Sequence, residues 1–159
     1  MAGSESSCPE WFDAELLGRE LHRVTFPVER GKIAEFARAT GEINPVFFDE
    51  AAARAAGFDG IPTPVTFAQV VNHYLPDGPV FPPGFDIKRI VHGESEYEIE
   101  RLPIAGEMLT ASFRFVRVFE KTSKSGGTMR FAVRECALID ERGDEILFRR
   151  DTLIETPAS

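Results

Sequence analysis

The sequence of 159 residues has little cysteine, no long apolar run and few basic residues. Its two cysteines, Cys8 and Cys136, are too few and too differently placed for a disulfide framework or a metal knuckle. We therefore expect two free thiols in a reducing compartment and no bound metal. No window approaches about 18 consecutive apolar residues, and residues 1–7 lack the basic and apolar regions of a signal peptide. These absences predict a soluble, cytoplasmic protein that does not insert into a membrane.

Positive charge is also scarce. The chain has 18 Lys and Arg residues against 26 Asp and Glu residues, which leaves a net charge of −8. A phosphate backbone is repelled by such a surface, so nucleic acid is not expected as a partner. The length suits one domain. We expect a flexible tail over 1–10, a single domain over 11–155 and a flexible end over 156–159.

Polar aromatic residues are the third scarcity, because 14 phenylalanines accompany only two tyrosines and one tryptophan. A phenylalanine fills apolar space without requiring a hydrogen bond. The excess predicts either a Phe-rich core or a pocket for an apolar ligand, and composition alone leaves both open.

The order of periodic segments predicts an α+β fold. Helical spacing of apolar residues appears over 33–40, and Asp49 is placed to cap a second helix over 50–56. A third, buried helix is expected over 66–74, inside a proline-rich stretch. Alternation with a period of two predicts strands at 21–28, 94–101, 109–115, 129–139 and 146–154. This order predicts one antiparallel sheet of about five strands wrapped around a central helix.

The strand patterns also predict which side chains face water. Four glutamates occupy alternate positions of one strand and should line its solvent face: Glu94, Glu96, Glu98 and Glu100. In the strand over 129–139 the apolar positions are Met129, Phe131, Val133, Ala137 and Ile139. Most of the strand arginines are expected to point outward, a set that comprises Arg89, Arg114, Arg117, Arg130, Arg134, Arg149 and Arg150.

Four motifs follow one another along the chain. They are Gly-Glu-Ile-Asn-Pro-Val-Phe-Phe-Asp at 41–49, Gly-Ile-Pro-Thr-Pro-Val-Thr-Phe at 60–67, Val-His-Gly-Glu at 91–94 and Pro-Ile-Ala-Gly-Glu-Met-Leu-Thr at 103–110. In this order they resemble the MaoC-like dehydratase family. The likeness is most specific to its FAS1-like dehydratase group, which includes the A and C subunits of mycobacterial (3R)-hydroxyacyl-ACP dehydratase.

The resemblance extends from about residue 17 to residue 155 and implies a hot-dog fold. In that fold an antiparallel sheet wraps around a central helix, here 66–74, and two such folds pair sheet edge to sheet edge. Family members act on acyl thioesters of coenzyme A or acyl carrier protein and need no cofactor. They hydrate a trans-2-enoyl group or dehydrate a 3-hydroxyacyl group, for which a carboxylate and an imidazole hold water and move protons.

The sequence departs from the family's catalytic pattern in three parts of the machinery: the carboxylate, the imidazole and the His-Gly pair. Catalytic members carry Gly-Asp-x-Asn-Pro-x-His, whereas this chain has Glu42 at the Asp position and Phe47 at the His position. Phenylalanine cannot transfer a proton. Catalytic members also carry a His-Gly pair before the central helix, where the Gly N–H helps to hold the thioester oxygen. Here Thr63 and Pro64 replace it, and proline has no N–H to donate.

Glu42 and His92 remain as candidates for proton transfer, and the alternative interpretation of His92 is a structural histidine that bonds to a neighbouring group. The resemblance places a tunnel for the acyl chain along the central helix. The expected substrate-binding residues are Val65, Thr66, Phe67, Val70, Val71, Pro82, Phe85, His92 and Gly93.

Three functional hypotheses result. The preferred one is a non-catalytic, acyl-thioester-binding subunit of a heteromeric (3R)-hydroxyacyl-ACP or -CoA dehydratase, whose partner carries the catalytic dyad. The second is a homodimeric enoyl-CoA hydratase or dehydratase that uses Glu42 or His92. The third is a homodimer that binds acyl thioesters without catalysis.

Overall fold

The computed structural model describes residues 8–124 and 126–158, and its main element is a five-stranded antiparallel sheet. The strands are β1 (His22–Pro27), β2 (Ile90–Ile99), β3 (Met108–Thr122), β4 (Thr128–Ile139) and β5 (Glu145–Glu155). Their order across the sheet is β1-β3-β4-β5-β2, which leaves β1 and β2 at the two edges. The predicted α+β class is confirmed.

Two short α-helices precede the sheet's long strands. Helix α1 (Arg30–Ala39) ends at Gly41, whose positive φ of 77° lets the Glu42 N–H reach the Ala37 carbonyl at 2.8 Å. Helix α2 (Glu50–Ala55) begins where the Asp49 carboxylate accepts the Ala52 N–H at 2.7 Å. Both helices lie where the sequence predicted them. Short 3₁₀ turns lie at Ala14–Leu16, Pro45–Phe47 and Ile87–Arg89.

The buried segment at Val65–Tyr74 is a 3₁₀ helix, which we call the central 3₁₀ segment. The sequence predicted a buried helix over 66–74, and the position of that helix is confirmed. The prediction did not specify a 3₁₀ helix. Proline 64 precedes the segment, and the Asn72 side chain bonds to the Gln69 carbonyl at 3.0 Å. Such side-chain bonds compete with α-helical pairing, and β-branched residues weaken it further. Because a 3₁₀ turn has three residues, Phe67 and Val70 stack on one buried side.

The buried face of β4 is opposite to the predicted one. The buried face carries Ala132, Arg134, Cys136 and Leu138. On the other face Phe131 and Val133 are only partly buried, and Glu135 is its one buried residue. Pairing with β3 determines which face of β4 is buried, because Cys136 lies opposite the buried Phe113 of β3. The expectation that the strand arginines mostly point outward is therefore wrong for Arg134 and Arg149, which both lie in the interior.

A bulge at Gly93 interrupts the pairing of β2 with β5. His92 lies opposite Leu153 and Glu94 opposite Thr152, so Gly93 is an extra residue on β2. A β-carbon at Gly93 would lie 2.8 Å from Ile154 Cδ1 and 3.1 Å from the Thr152 carbonyl oxygen. A side chain at this position would therefore require Ile154 and the β5 backbone to shift. The bulge turns His92 and Ser95, three residues apart, toward the same face of the sheet.

The chain ends are partly held by contacts. Residues 1–7 and 159, which belong to the predicted tail and end, lie outside the described residues. Cys8 is half-buried, packs against the core and lies with its Sγ 3.5 Å from the Phe12 carbonyl oxygen. Thr156 donates its N–H to the Arg89 carbonyl at 3.0 Å. In the described part of the chain, every helix is too short or too polar to cross a lipid bilayer.

The glycine bulge gives a direct test of the fold. Gly93→Ala is expected to destabilise the protein by about 1–3 kcal/mol, because the added methyl group overpacks against β5. Gly31→Ala is the matched control, since that glycine lies in α1 with nothing within 4 Å of an added β-carbon. It should stabilise the helix by up to about 1 kcal/mol. Urea denaturation measures both changes, and an equal effect of the two substitutions would contradict the bulge geometry.

Candidate functional site

The loop after α1 carries the positions at which the sequence predicted the dyad. The Asn44 side chain accepts the Val46 N–H at 3.2 Å and starts the 3₁₀ turn in which Pro45 is the first residue. This turn points Phe47 inward, and its half-buried side chain packs against the core. The Glu42 carboxylate is exposed and has no hydrogen-bond or ion-pair partner within residues 8–124 and 126–158.

The three histidines do not complete a dyad with Glu42. His22 lies on edge strand β1, His73 is exposed on the central 3₁₀ segment, and His92 lies on the opposite edge strand β2. None of them is hydrogen-bonded to Glu42. A general base and its acid partner act through hydrogen-bonded contact with the same substrate, and this single chain does not bring such a pair together.

The start of the central 3₁₀ segment offers backbone donors. The Thr63 N–H already donates to the Pro103 carbonyl at 2.9 Å, and Pro64 has no N–H. Beyond them, the N–H groups of Val65 and Thr66 have no acceptor among the described residues, and both residues are exposed. A helix start leaves its first N–H groups free in this way. The missing N–H at Pro64 was visible in the sequence, whereas these two neighbouring donors depend on the fold and were not predicted.

A groove of about 380 Å³ runs between α1 and the central 3₁₀ segment. Phe36, Ala39 and Val70 give it an apolar floor, and its polar lining residues are Lys32, Glu35 and His73. Its volume falls in the range of small-molecule sites. We call it the α1 groove. Of the predicted substrate-binding residues, Val70 lines it, and Phe67 supports its floor by an edge-to-face contact with Phe36 at 5.6 Å between ring centroids.

The other predicted tunnel residues are dispersed. Val71 is fully buried in the core. Pro82 is buried as well. Phe85 packs against Trp11 near the N-terminal part of the chain, with ring centroids 5.1 Å apart. Val65 and Thr66 are exposed at the start of the central 3₁₀ segment. The structure therefore groups Phe67 and Val70 at the groove and does not line one tunnel with the whole set.

His92 belongs to a chain of polar contacts that leads into the sheet. Its Nε2 lies 3.0 Å from Ser95 Oγ, and Ser95 Oγ donates to Asp151 Oδ1 at 2.6 Å. Since the single hydroxyl proton of Ser95 is used on Asp151, its oxygen accepts from His92, which puts the imidazole proton on Nε2. Nδ1 of this exposed ring then remains a free acceptor in the neutral form. Gly93 makes the arrangement possible through the bulge.

The buried end of that chain is a cluster of two arginines and one aspartate. Arg134 donates to Asp151 Oδ2 at 2.7 Å and to the Val80 carbonyl at 2.7 Å. Arg149 is fully buried, and its Nε lies 3.0 Å from Asp151 Oδ2 but in poor hydrogen-bond alignment. None of the three Arg149 side-chain nitrogens has a hydrogen-bond partner among the described residues. One carboxylate thus balances two buried guanidinium groups.

The surroundings of this cluster shift the pKa of the Asp151 carboxyl and of the Cys136 thiol. Burial alone raises the pKa of the Asp151 carboxyl, but the Arg149 charge and the hydrogen bonds from Arg134 and Ser95 outweigh burial and hold that pKa below its ordinary value. Burial also raises the pKa of the neighbouring Cys136 thiol to about 11, which leaves it protonated and unreactive at neutral pH. No group of three His, Cys, Asp or Glu side chains suited to a metal occurs in the described residues.

Sequence comparison places the chain among known relatives. The family model described as FAS1-like, dehydratase domain region matches residues 15–149. A UPF0336 protein of Leifsonia xyli is 36% identical over 129 residues, which cover 80% of this chain and 83% of that protein. A UPF0336 protein of Clavibacter michiganensis is 36% identical over 143 residues, covering 88% and 93% of the two chains.

Solved structures share the fold. The chain resembles one in the ChsH1–ChsH2 complex of Mycobacterium tuberculosis with a TM-score of 0.70 and 23% identity, over 87% of this chain and 85% of the other. For the HadBC (3R)-hydroxyacyl-ACP dehydratase complex of the same organism the TM-score is 0.63 at 25% identity, over 82% and 90%. The R-hydratase PhaJ1 of Pseudomonas aeruginosa gives 0.65 at 15% identity, over 90% and 83%. The predicted hot-dog fold is confirmed.

The buried cluster predicts a specific loss of stability in acid. Because the pKa of folded Asp151 is depressed, its carboxylate contributes stability above the ordinary aspartate pKa of about 3.9 and loses it as the pH falls toward the lower folded value. Asp151→Asn should cost about 3–5 kcal/mol at pH 7, because both guanidinium groups lose their counter-charge. The difference from the wild type should shrink below about pH 4.

Urea denaturation between about pH 3 and pH 7 measures this dependence. Ser95→Ala provides a milder variant that is expected to fold, with a loss of about 1–2 kcal/mol and the same direction with pH. Asp144→Asn, at an exposed turn residue, is the control and should change stability by less than about 0.5 kcal/mol. A pH-independent cost for both Asp151→Asn and Ser95→Ala would contradict the depressed pKa.

Proposed function

The chain belongs to the family of the FAS1-like dehydratase domain region, and we propose that it is the substrate-binding, non-catalytic subunit of a two-chain hydratase or dehydratase for acyl thioesters. A partner subunit supplies the carboxylate and imidazole that move protons, and this chain supplies contacts to the acyl group. The observation that carries the proposal is the half-buried Phe47, which packs against the core where the family's catalytic pattern has its imidazole.

The exposure and isolation of the Glu42 carboxylate also support a non-catalytic role for this chain. Its carboxylate is exposed, and neither a histidine nor an arginine contacts it in the part of the chain that the structure describes. Hydration of an enoyl thioester needs one group to take a proton from water and another to deliver a proton at Cα. A solitary exposed carboxylate performs neither step efficiently, because nothing orients it toward a bound water.

The free N–H groups of Val65 and Thr66 suit a thioester. During hydration, negative charge develops on the thioester oxygen, and backbone donors that are already oriented stabilise it at little reorganisation cost. In the proposed role these two N–H groups donate to that oxygen. His92 and Gly93 are retained as candidate substrate contacts, but they lie on edge strand β2 and do not line the α1 groove.

The acyl chain is assigned to the α1 groove. The apolar floor of Phe36, Ala39 and Val70 excludes water from a methylene chain, and the polar rim suits the more polar end of the ligand. Each methylene that moves from water to an apolar site gains about 0.8 kcal/mol. The substrate is an acyl thioester of coenzyme A or of acyl carrier protein, and the groove itself contacts only the acyl part.

A partner subunit is proposed because two of the related structures are complexes. The ChsH1–ChsH2 and HadBC structures are each complexes of two named chains, and HadBC is named as a (3R)-hydroxyacyl-ACP dehydratase. The candidate partner for this chain is a MaoC-like subunit that contains Gly-Asp-x-Asn-Pro-x-His. Such a subunit would restore the two proton-transfer groups that this chain lacks.

The groove assignment predicts how affinity depends on chain length. Octanoyl-CoA should bind more tightly than butyryl-CoA by about tenfold or more, since four further methylenes enter the groove. Ala39→Phe fills the groove from an exposed position and should abolish most of that difference. Ala55→Phe, exposed on α2 outside the groove, is the control and should bind like the wild type. Calorimetric titration measures the affinity of each variant for both thioesters. Equal affinity of the two variants for octanoyl-CoA would refute the assignment of the acyl chain to the groove.

The division of labour predicts the activity of the isolated chain. Purified alone, it should not hydrate crotonyl-CoA or longer trans-2-enoyl-CoAs, because it lacks an acid–base pair. Co-expression with a subunit that carries the dyad should restore turnover, and Glu42→Gln in this chain should leave that turnover within about twofold of the unmodified complex, since Glu42 is not the base. Loss of the enoyl thioester absorbance measures the rate. Hydration by the lone chain would contradict the proposal.

A second candidate function rests on the His92 contacts. Ser95 and Asp151 hold the imidazole with Nδ1 free, an arrangement that a general base also needs. In this alternative a homodimer of the chain is itself the hydratase. The same assay decides between the two, because activity of the lone chain that is lost in His92→Ala would establish the alternative. Binding of acyl-CoA by a homodimer without any turnover, with or without a partner, would establish the third hypothesis.

A further inference from the structure

Edge strand β2 has an acidic row on one face and apolar residues on the other. Glu94, Glu96 and Glu98 are exposed on the outer face, where they alternate with the inner-facing Ser95 and Tyr97. Glu100 follows directly after the strand. On the inner face Tyr97 is half-buried, and Ile99 remains 37% exposed. One side of β2 pairs with β5, and its other side has no strand partner among the described residues.

The acidic row is largely unneutralised. Only Glu96 meets a cation, Arg150, at 2.9 Å, and Arg150 is also bound to Glu135 at the same distance. Glu94, Glu98 and Glu100 have no ion-pair partner within residues 8–124 and 126–158. A free strand edge with unpaired backbone groups recruits another strand, and the side chains beside it decide which strand fits.

A second copy of this chain fits the edge badly. In an antiparallel pair, residues directly opposite each other point to the same face of the sheet. If β2 paired with its own copy about a centre between residues 94 and 100, glutamate would lie opposite glutamate on the outer face in every register. For example, Glu94 would lie opposite Glu98 of the copy, and Glu96 opposite Glu96. Like charges directly opposite each other destabilise a strand pair.

We propose that β2 selects a different subunit, whose edge strand carries lysine or arginine at alternate outer positions and apolar residues on its inner face. The resemblance implies pairing of sheet edges in general, whereas the charge on this edge specifies which chain is accepted and which is refused. The inference rests on the proposed function only in taking that different subunit to be the one that carries the dyad. Tyr97 and Ile99 would be covered by the partner's inner face.

A charge-swapped copy of the chain serves as the probe. The variant carries Glu94→Lys, Glu98→Lys and Glu100→Lys, the three glutamates without an ion pair. Sedimentation velocity at about 0.02 M salt should find the wild type and the variant each monomeric alone, because each repels itself. An equimolar mixture should form a 1:1 complex at least about tenfold tighter than either self-association, and about 0.5 M salt should weaken it.

The control keeps the same change in net charge away from the edge. It carries Glu10→Lys, Asp77→Lys and Glu141→Lys, three exposed residues without ion pairs in the described residues. Mixing this control with the wild type should produce no 1:1 complex. A wild-type homodimer as tight as the mixed complex, the absence of a mixed complex, or an equal effect of the control would each overturn the proposal.

A second measurement uses the natural assembly. In co-purification with the dyad-bearing subunit, the edge variant should weaken the complex by about tenfold or more, while the control variant should bind like the wild type. Equal binding of the two variants would overturn the proposal. Neither experiment measures activity, so a negative result would not contradict the proposed acyl-thioester function. Conversely, activity of the lone chain would contradict the proposed function, and these mixing experiments would still test the charge selection of β2.

Discussion

The buried carboxylate of Asp151 joins the interior of the sheet to the proline-rich segment and to edge strand β2. It is fully buried on β5, it holds Arg134 of β4 at 2.7 Å, and it lies 3.0 Å from Arg149. Through Arg134 it reaches the Val80 carbonyl and so fixes the proline-rich segment over the sheet. Through Ser95 it fixes the imidazole of His92 on edge strand β2. A small sheet with charges in its interior thereby connects its core to the edge where a partner is proposed.

Much of the fold follows from local chemistry and was predictable. The Asp49 cap, the turn at Gly41 and the outward row of glutamates act through short-range rules that a sequence displays directly. The buried face of β4 was not predictable in this way. Both faces of that strand mix apolar and charged residues, and the choice between them depends on pairing with β3 and on the ion pair of Arg134 with Asp151. Arginine at a strand position usually indicates solvent, and no local signal revealed two buried ones.

Some features of the candidate site were likewise visible in the sequence, and others depend on the fold. The loss of the imidazole at Phe47 and of the N–H at Pro64 was visible in the sequence, because each is a change of chemical group at a motif position. The free N–H groups of Val65 and Thr66 and the α1 groove depend on how the central 3₁₀ segment winds and packs. The phenylalanines divide between the core and the α1 groove. Phe113 and Phe115 are core residues, whereas Phe36 forms part of the groove floor.

The central claim is that this chain holds an acyl thioester without moving protons on it. The most direct test is to incubate the isolated chain with a 3-hydroxyacyl-CoA in deuterium oxide and to follow the mass of the thioester. Removal and return of the Cα proton by any catalytic group introduces deuterium at Cα, even when no net reaction is visible. We expect no deuterium with the lone chain and incorporation once the dyad-bearing subunit is added. Incorporation by the lone chain would contradict the proposed non-catalytic role.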